Sequence, residues 1–259
     1  MTPTILFRHD RDTLEEMEIA QKFFPVTGSR VGLDERLVIG RYSVLPYYKE
    51  LEFDLKEQCS RLINNLQEHR YIASFEYYED VKEFTPETWF RLQDVPDDSG
   101  PYVLKGLTNS RKFRWNTHMY AADWTDAGKI HSELMQDPLI GEQGVLIRKF
   151  EKLKILEVGI NGMPMANEWR FFFYRDQLLT NGFYWTISEK QGEMNNAGME
   201  FAYRMADILK ERTNFFVIDI AEKESGEWIL IEVNDGQMSG LSGNDPHRLY
   251  AGLKKAICD

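Results

Sequence analysis

Cysteine is nearly missing from this 259-residue chain: only Cys59 and Cys258 occur. Two thiols so far apart in sequence make neither a disulfide framework nor a thiolate metal knot, and they point to a reducing compartment. Long apolar runs are missing too. None approaches membrane length, and the opening MTPTILFRHDRD lacks the apolar centre of a secretory signal, so a cytoplasmic protein that does not enter a membrane is expected. Basic residues are in short supply, with 31 Lys and Arg against 42 Asp and Glu, a formal charge of -11 and a pI near 5.1. That balance argues against nucleic acid or an anionic lipid surface as a general partner, while local basic patches stay open. The chain has no GxxxxGK[ST] loop, which excludes a P-loop. Its histidines, His9, His69, His118, His131 and His247, are scattered, without a Ser/His/Asp or Cys/His constellation, and read as surface or structural residues, His118 lying nearest a basic loop.

What is present sorts into segments. TILF and RLVIGRYS read as strands of an amino-terminal α/β unit over residues 1–95. DTLEEMEIAQKFF reads as a helix capped by Asp12 or Thr13, with Leu14, Met17, Ala20 and Phe24 at helical spacing. The spacing of Leu51, Leu55, Cys59, Leu62, Ile63 and Leu66 predicts one long helix. FTPETWFRL predicts another, with Thr85 as cap and Pro86 in its first turn. The turn-rich DVPDDSGP, residues 94–101, marks a boundary.

Beyond it, Tyr102–Lys105 is a strand that leads into a polar loop carrying Lys105, Arg111, Lys112 and Arg114 with no acid among them. Such a loop suits phosphate oxygens, or else is a solvated edge. A helix over about Asp126–Met135 and the strand GVLIRKF follow. Asn161-Gly162 predicts a hairpin turn. NEWRFFFYRDQLL then places Glu168, Arg170, Phe172 and Tyr174 on one face of a strand in an antiparallel meander, the other face being Trp169, Phe171 and Phe173.

FVIDIA and WILIEVN, joined at Ser225-Gly226, read as a hairpin with a two-residue turn, which sets Asp219 opposite Glu232 and Val217 opposite Asn234. Asp219, Glu232 and Asn234 then share one face, while Ile218, Ile220, Ile231 and Val233 face the core. Facing carboxylates repel, and no base alternates with them on that face. A divalent cation resolves the conflict: two carboxylates and an amide oxygen are hard ligands suited to Mg²⁺. A solvated hairpin face is the other reading.

Taken in order, VLKG, GVLIRKF, NEWRFFFY and VIDIA…WILIEVNDGQMSG, over residues 100–243, resemble the ATP-grasp superfamily, closest to its phage and bacterial clade named for two arginines and a lysine. In this chain those three would be Arg148, Arg170 and Lys105. The resemblance implies an α+β fold in which two lobes with antiparallel sheets enclose the nucleotide, here residues 96–259 divided into 96–150 and 151–259. It implies ATP and Mg²⁺ as cofactors. Lys105 would reach the phosphates, Arg148, Lys149, Phe150 and Glu151 would line the strand whose backbone receives adenine, and Glu168 would lie among the nucleotide contacts. Arg170 would face the transferred phosphate, Asp219, Glu232 and Asn234 would hold metal, and residues 237–242 would flank the acceptor. The activity implied is an ADP-forming carboxylate-amine ligase working through an acyl phosphate on an amino acid, peptide or protein. A nucleic-acid ligase or nucleotidyltransferase, and an ATP-binding module without turnover, are the alternatives.

Overall fold

The computed structural model describes residues 2–8, 14–96 and 100–258. The expected caps Asp12 and Thr13, His9, and the middle of the 94–101 turn lie outside the described residues. The amino-terminal unit is α/β, as expected. Strands β1 (Thr4–Leu6), β2 (Val26–Thr27), β3 (Leu37–Gly40) and β4 (Arg61–Leu62) form a parallel sheet in the order β2-β1-β3-β4, crossed by helices α1 (Leu14–Ala20) and α2 (Tyr48–Lys56).

The long helix expected through Leu66 does not form. Helix α2 ends at Lys56, Cys59 turns the chain at φ 56°, and Leu62 enters β4. A new helix, α3 (Leu66–Ala73), starts behind Asn65, whose side chain accepts from the backbone of Gln67 and Glu68 while Glu68 reaches back to the Asn65 N–H. This reciprocal capping box is a start signal inside what reads as uninterrupted helical spacing. Leu55 and Leu62 share one core from two different elements, which is how the spacing misled.

Helices α3 and α4 (Tyr78–Val81) bring Tyr71, Ile72, Phe75, Tyr77 and Val81 into the core of the large lobe. The segment after them also departs from expectation. Instead of a helix from Thr85, residues Thr88–Trp89 form strand β5, which pairs with β8 (Val145–Lys149). The reason is a buried cation. The Thr85 hydroxyl donates to the Leu230 carbonyl at 2.8 Å and accepts from Arg148 Nη2 at 2.6 Å, so it serves Arg148 instead of a helix end. The small-lobe sheet runs β5-β8-β6-β7, with β6 at Tyr102–Gly106 and β7 at Tyr120–Ala121, so it draws a strand from before residue 96. Between these strands lie α5 (Trp115–His118), α6 (Trp124–Met135), which Asp123 caps, and α7 (Ile140–Gln143). Ile130 and Leu134 of α6 pack on Tyr102, Leu104 and Ile147.

In the large lobe, β9 (Ile155–Val158) and β10 (Pro164–Ala166) form the expected hairpin, with Asn161 and Gly162 at φ 55° and 77°. Strands β11 (Glu168–Tyr174), β12 (Gln177–Phe183), β13 (Phe215–Glu222) and β14 (Trp228–Asp235) make an antiparallel sheet in the order β12-β11-β13-β14. Helix α8 (Asn196–Leu209) covers the face bearing Phe171, Phe173, Phe216 and Ile218. Helix α9 (Pro246–Cys258) and the amino-terminal sheet cover Phe172, Phe215 and Val217 on the other face. That second face is apolar only at one end; at the other, Glu168, Arg170 and Asp219 lie next to the small lobe. Among the described residues, no helix is long and apolar enough to cross a membrane.

Candidate active site between the lobes

The hairpin β13–β14 has Asp219 opposite Glu232 and Val217 opposite Asn234. It reaches that register by a different route from the one expected. The connection holds three residues, Glu224 to Gly226, closed by Lys223 N–H donating to Glu227 O at 2.7 Å, with Gly226 at φ 86°. This offsets the pairing by one, and a bulge between Asp219 and Ile220 offsets it back. The residue left over is Ile231. It faces the interlobe cleft, and Leu230 takes the core position expected of it.

The expectation that no base shares the acidic face is also corrected. Arg170 of β11 lies directly opposite Asp219, and its Nε and Nη2 donate to the two carboxylate oxygens at 2.8 and 2.7 Å. Its Nη1 donates to the Gly240 carbonyl at 2.8 Å, and its guanidinium lies over the Tyr184 ring at 4.8 Å. Lys105, from the small lobe, pairs with Glu232, and Asn234 Nδ2 faces Asp219 at 3.5 Å. The two facing carboxylates are thus neutralised by two cations from other strands.

Arg148 borders the interlobe cleft, and its guanidinium is also bonded within the protein. Its Nη1 donates to the Ile231 carbonyl at 2.6 Å, and its Nε reaches the Thr88 hydroxyl at 3.2 Å, so it links the small-lobe sheet to the bulge. Burial, with Arg148 and Lys112 near, pushes the Lys105 ammonium well below the ordinary lysine pKa. Glu168 is pushed up to about 7, first by burial and then, against the pull of Lys112, by Asp219. Lys112 is bonded to the Tyr184 hydroxyl and lies over that ring at 4.1 Å, whereas Arg111 turns away to Asp137 at 2.7 Å. Of the basic loop, Lys105 and Lys112 therefore reach the site. His118 instead contacts Thr117 and Arg114 on the exposed side.

Two cavities meet here. The first, about 550 Å³, lies between the lobes and is lined by Lys105, Arg148, Lys149, Phe150, Glu151, Glu168 and Glu232, with Met119, Tyr120, Ile155 and Met163 supplying apolar wall. The second, about 360 Å³, is lined by Arg170, Asn234, Met238, Ser239 and Gly240, and also by His69 and Asp235. Ser110, Lys112 and Glu232 border both. Asp219 lies behind them, 1% exposed. Of the expected acceptor segment, Gln237 is turned inward, bonded to Tyr48 and Gly40, and the Ser239 hydroxyl donates to the Asp235 carbonyl. The segment is held by a close approach: a Cβ on Gly182 would meet the Gly243 carbonyl oxygen at 2.3 Å. His69 and Asp235 carry no local signal in sequence; only the fold brings them to this wall. Residues 188–198 line neither cavity; Asn195 caps α8 and accepts from the Trp228 indole.

Residues 92–253 match the model of an ATP-grasp domain family, the third family of the clade named for two arginines and a lysine. No curated protein matches the chain by sequence. Solved structures share the fold. The ATP-grasp ligase PsnB, complexed with minimal precursor, Mg and ADP, superposes with a TM-score of 0.60 at 9% identity, over 99% of this chain and 98% of that one. The D-cycloserine synthetase DcsG gives a TM-score of 0.63 at 11% identity, over 98% and 99%. A RimK domain ATP-grasp protein from Sphaerobacter thermophilus gives 0.59 at 14% identity, over 99% and 100%.

Proposed function

Because the chain belongs to that two-arginine, one-lysine clade of ATP-grasp domains, we propose that it is an ATP-dependent, ADP-forming ligase that joins a carboxylate to an amine. The observation that carries this reading is the pair of adjoining cavities. One has the size and apolar wall of a nucleotide site; the other is small and polar, and the wall between them carries Lys112 and Glu232. A terminal phosphate reaching that wall from the first cavity meets an acid held in the second. The solved neighbours include a ligase complexed with a precursor peptide and a D-cycloserine synthetase, and an amino acid, peptide or protein tail is the substrate class that fits here.

In this reading Lys105 binds the phosphates; its ammonium pKa is depressed first by burial and then by Arg148 and Lys112, and a polyanion beside it would favour the charged form. The backbone of Lys149, Phe150 and Glu151 receives the base. Arg170 holds the transferring phosphate and the acyl phosphate in line, while Glu168, half ionised near neutral pH, tunes the charge beside Lys112. Arg148 borders the nucleotide cavity and also ties the lobes together at Ile231.

The donor set Asp219, Glu232 and Asn234 has the hard-oxygen chemistry that Mg²⁺ takes. Among the described residues no cluster of three His, Cys, Asp or Glu side chains could hold a metal, since the third donor is an amide and both carboxylates are held by cations. Phosphate oxygens compete for those same cations, so nucleotide and metal are expected to enter together. Bound there, Mg²⁺ would supply charge neutralisation to the triphosphate. Glu232→Gln tests the reading. Magnesium-dependent ADP release, measured with amino acids and dipeptides as acids, should fall by at least ~100-fold, on the order of 3 kcal/mol in the barrier. Unchanged release would remove the metal assignment.

A further inference from the structure

His69 is 3% exposed and borders the second cavity, where the ligase reading has so far assigned Arg170 and Lys112 but nothing that handles protons. Its Nδ1 lies 3.0 Å from Asp235 Oδ2. That carboxylate is itself fixed: Asn64 Nδ2 and the Gln237 N–H both donate to Oδ1 at 3.0 Å. The His69 ring lies flat on Tyr48, centroids 3.8 Å apart and planes 2° apart. The Tyr48 hydroxyl is locked in turn, donating to the Asn64 carbonyl at 2.6 Å and accepting from Gln237 Nε2 at 2.6 Å.

The consequence for the ring is chemical. A carboxylate that already accepts N–H bonds from Asn64 and twice from Gln237 takes the Nδ1 proton as well, so the neutral imidazole carries its hydrogen on Nδ1 and its lone pair on Nε2. Among the described residues, no group hydrogen-bonds Nε2. A buried Asp–His pair held only for packing would cost desolvation that an apolar pair would not. Here the cost is borne at the wall of a cavity that also holds Arg170 and Lys112.

We infer that His69, oriented by Asp235, is the general base for the acceptor amine. This rests on the ligase reading above. An amine arrives as an ammonium ion, and one proton passes to His69 Nε2, leaving an imidazolium balanced by Asp235. The freed nitrogen lone pair attacks the acyl carbon of the acyl phosphate. The C–N bond forms, and the bond from that carbon to the phosphate oxygen breaks with its electron pair leaving on phosphate. The departing phosphate takes the second nitrogen proton and leaves as HPO₄²⁻, and His69 returns its own to solvent. Asp235 is a positioning residue: it sets the tautomer and does not touch the substrate.

Hydroxylamine separates this role from a structural one, because it is uncharged at neutral pH and needs no base to free its lone pair. Parent, His69→Gln and His69→Asn proteins are supplied with ATP, Mg²⁺ and a panel of amino acids and dipeptides as acids. Hydroxylamine, or the same panel as amines, serves as acceptor, and hydroxamates and amides are read by mass spectrometry. In both variants amide synthesis should fall by about 10²–10⁴-fold, the usual worth of a positioned base, while hydroxamate formation stays within about threefold of the parent. Hydroxamate formation also reports that the variants are folded and bind nucleotide. Equal loss of both products, or loss of neither, overturns the role of His69. A parent that makes neither product rejects the ligase reading itself, and this inference with it.

Discussion

Replacing Arg170 with Met tests how the acidic face is held together and what else can hold it. Asp219 is 1% exposed, and both of its oxygens lie on the Arg170 fork at 2.8 and 2.7 Å. In Arg170→Met the apolar stem remains and the charge goes. The carboxylate keeps one weak hydrogen-bond neighbour, Asn234 Nδ2 at 3.5 Å, with Lys105 and Lys112 acting on it only through space, so a buried ion loses its direct partner. Breaking such a pair costs about 3–5 kcal/mol, which for a chain of this size lowers the midpoint of thermal unfolding by roughly 10 °C. Magnesium should then matter more than it does in the parent, because no guanidinium competes for Asp219. At a concentration a hundredfold above its dissociation constant it restores ~2.7 kcal/mol. The assay is urea unfolding followed by tryptophan fluorescence, with and without MgCl₂. An Asp219→Asn, Arg170→Met double variant, which buries no lone charge, should be more stable than Arg170→Met and indifferent to magnesium. A loss below about 1 kcal/mol in Arg170→Met would show that the pair does not hold Asp219. A full loss that magnesium leaves untouched would show that Asp219 is not a metal ligand.

Lys105→Ala removes a charge-assisted bond worth about 1.5–3 kcal/mol to phosphate, so ATP affinity by titration calorimetry should drop about 10- to 100-fold; equal affinity would count against the phosphate role. Glu168 is raised in the folded protein to about 7, so its contribution to stability is complete below the unfolded value near 4.5 and is lost as pH rises through about 7. Its Gln variant should therefore gain on the parent between pH 5 and 8, by on the order of 3 kcal/mol, and parallel stability curves would refute the shift. Deleting Ile231 removes the bulge while Asp219 still faces Glu232, so that protein should fold, whereas deleting Val233 turns Asn234 toward the core and should not; circular dichroism and solubility compare the two.

The longer strands are legible in the sequence because alternation and turn residues act over a few neighbours. Asn161-Gly162 and the two faces of β11 needed nothing beyond that range. The register of β13 and β14 came out by compensation, since the three-residue turn and the bulge at Ile231 each shift the pairing by one and cancel. What the pattern cannot carry is which distant group satisfies a buried one. Thr85 looks like a helix cap until Arg148 is placed beside it, and Leu62 looks helical until β4 draws it into a sheet.

The same limit applies to the site. Lys105, Arg170, Asp219, Glu232 and Asn234 converge from both lobes, and their residue types in order along the chain suffice to nominate them. Their pairing does not follow from order: a lone acidic face demands a metal, but the same face with Arg170 opposite and Lys105 above it is already neutral. On the proposed reading, metal and nucleotide would compete with ion pairs already in place, and an affinity measured for either alone would understate what the two achieve together. His69 and Asp235 lie 166 positions apart, and nothing in the sequence pairs them; the packing of α3 against β14 brings the two together at the wall of the second cavity, where the proposed base would act.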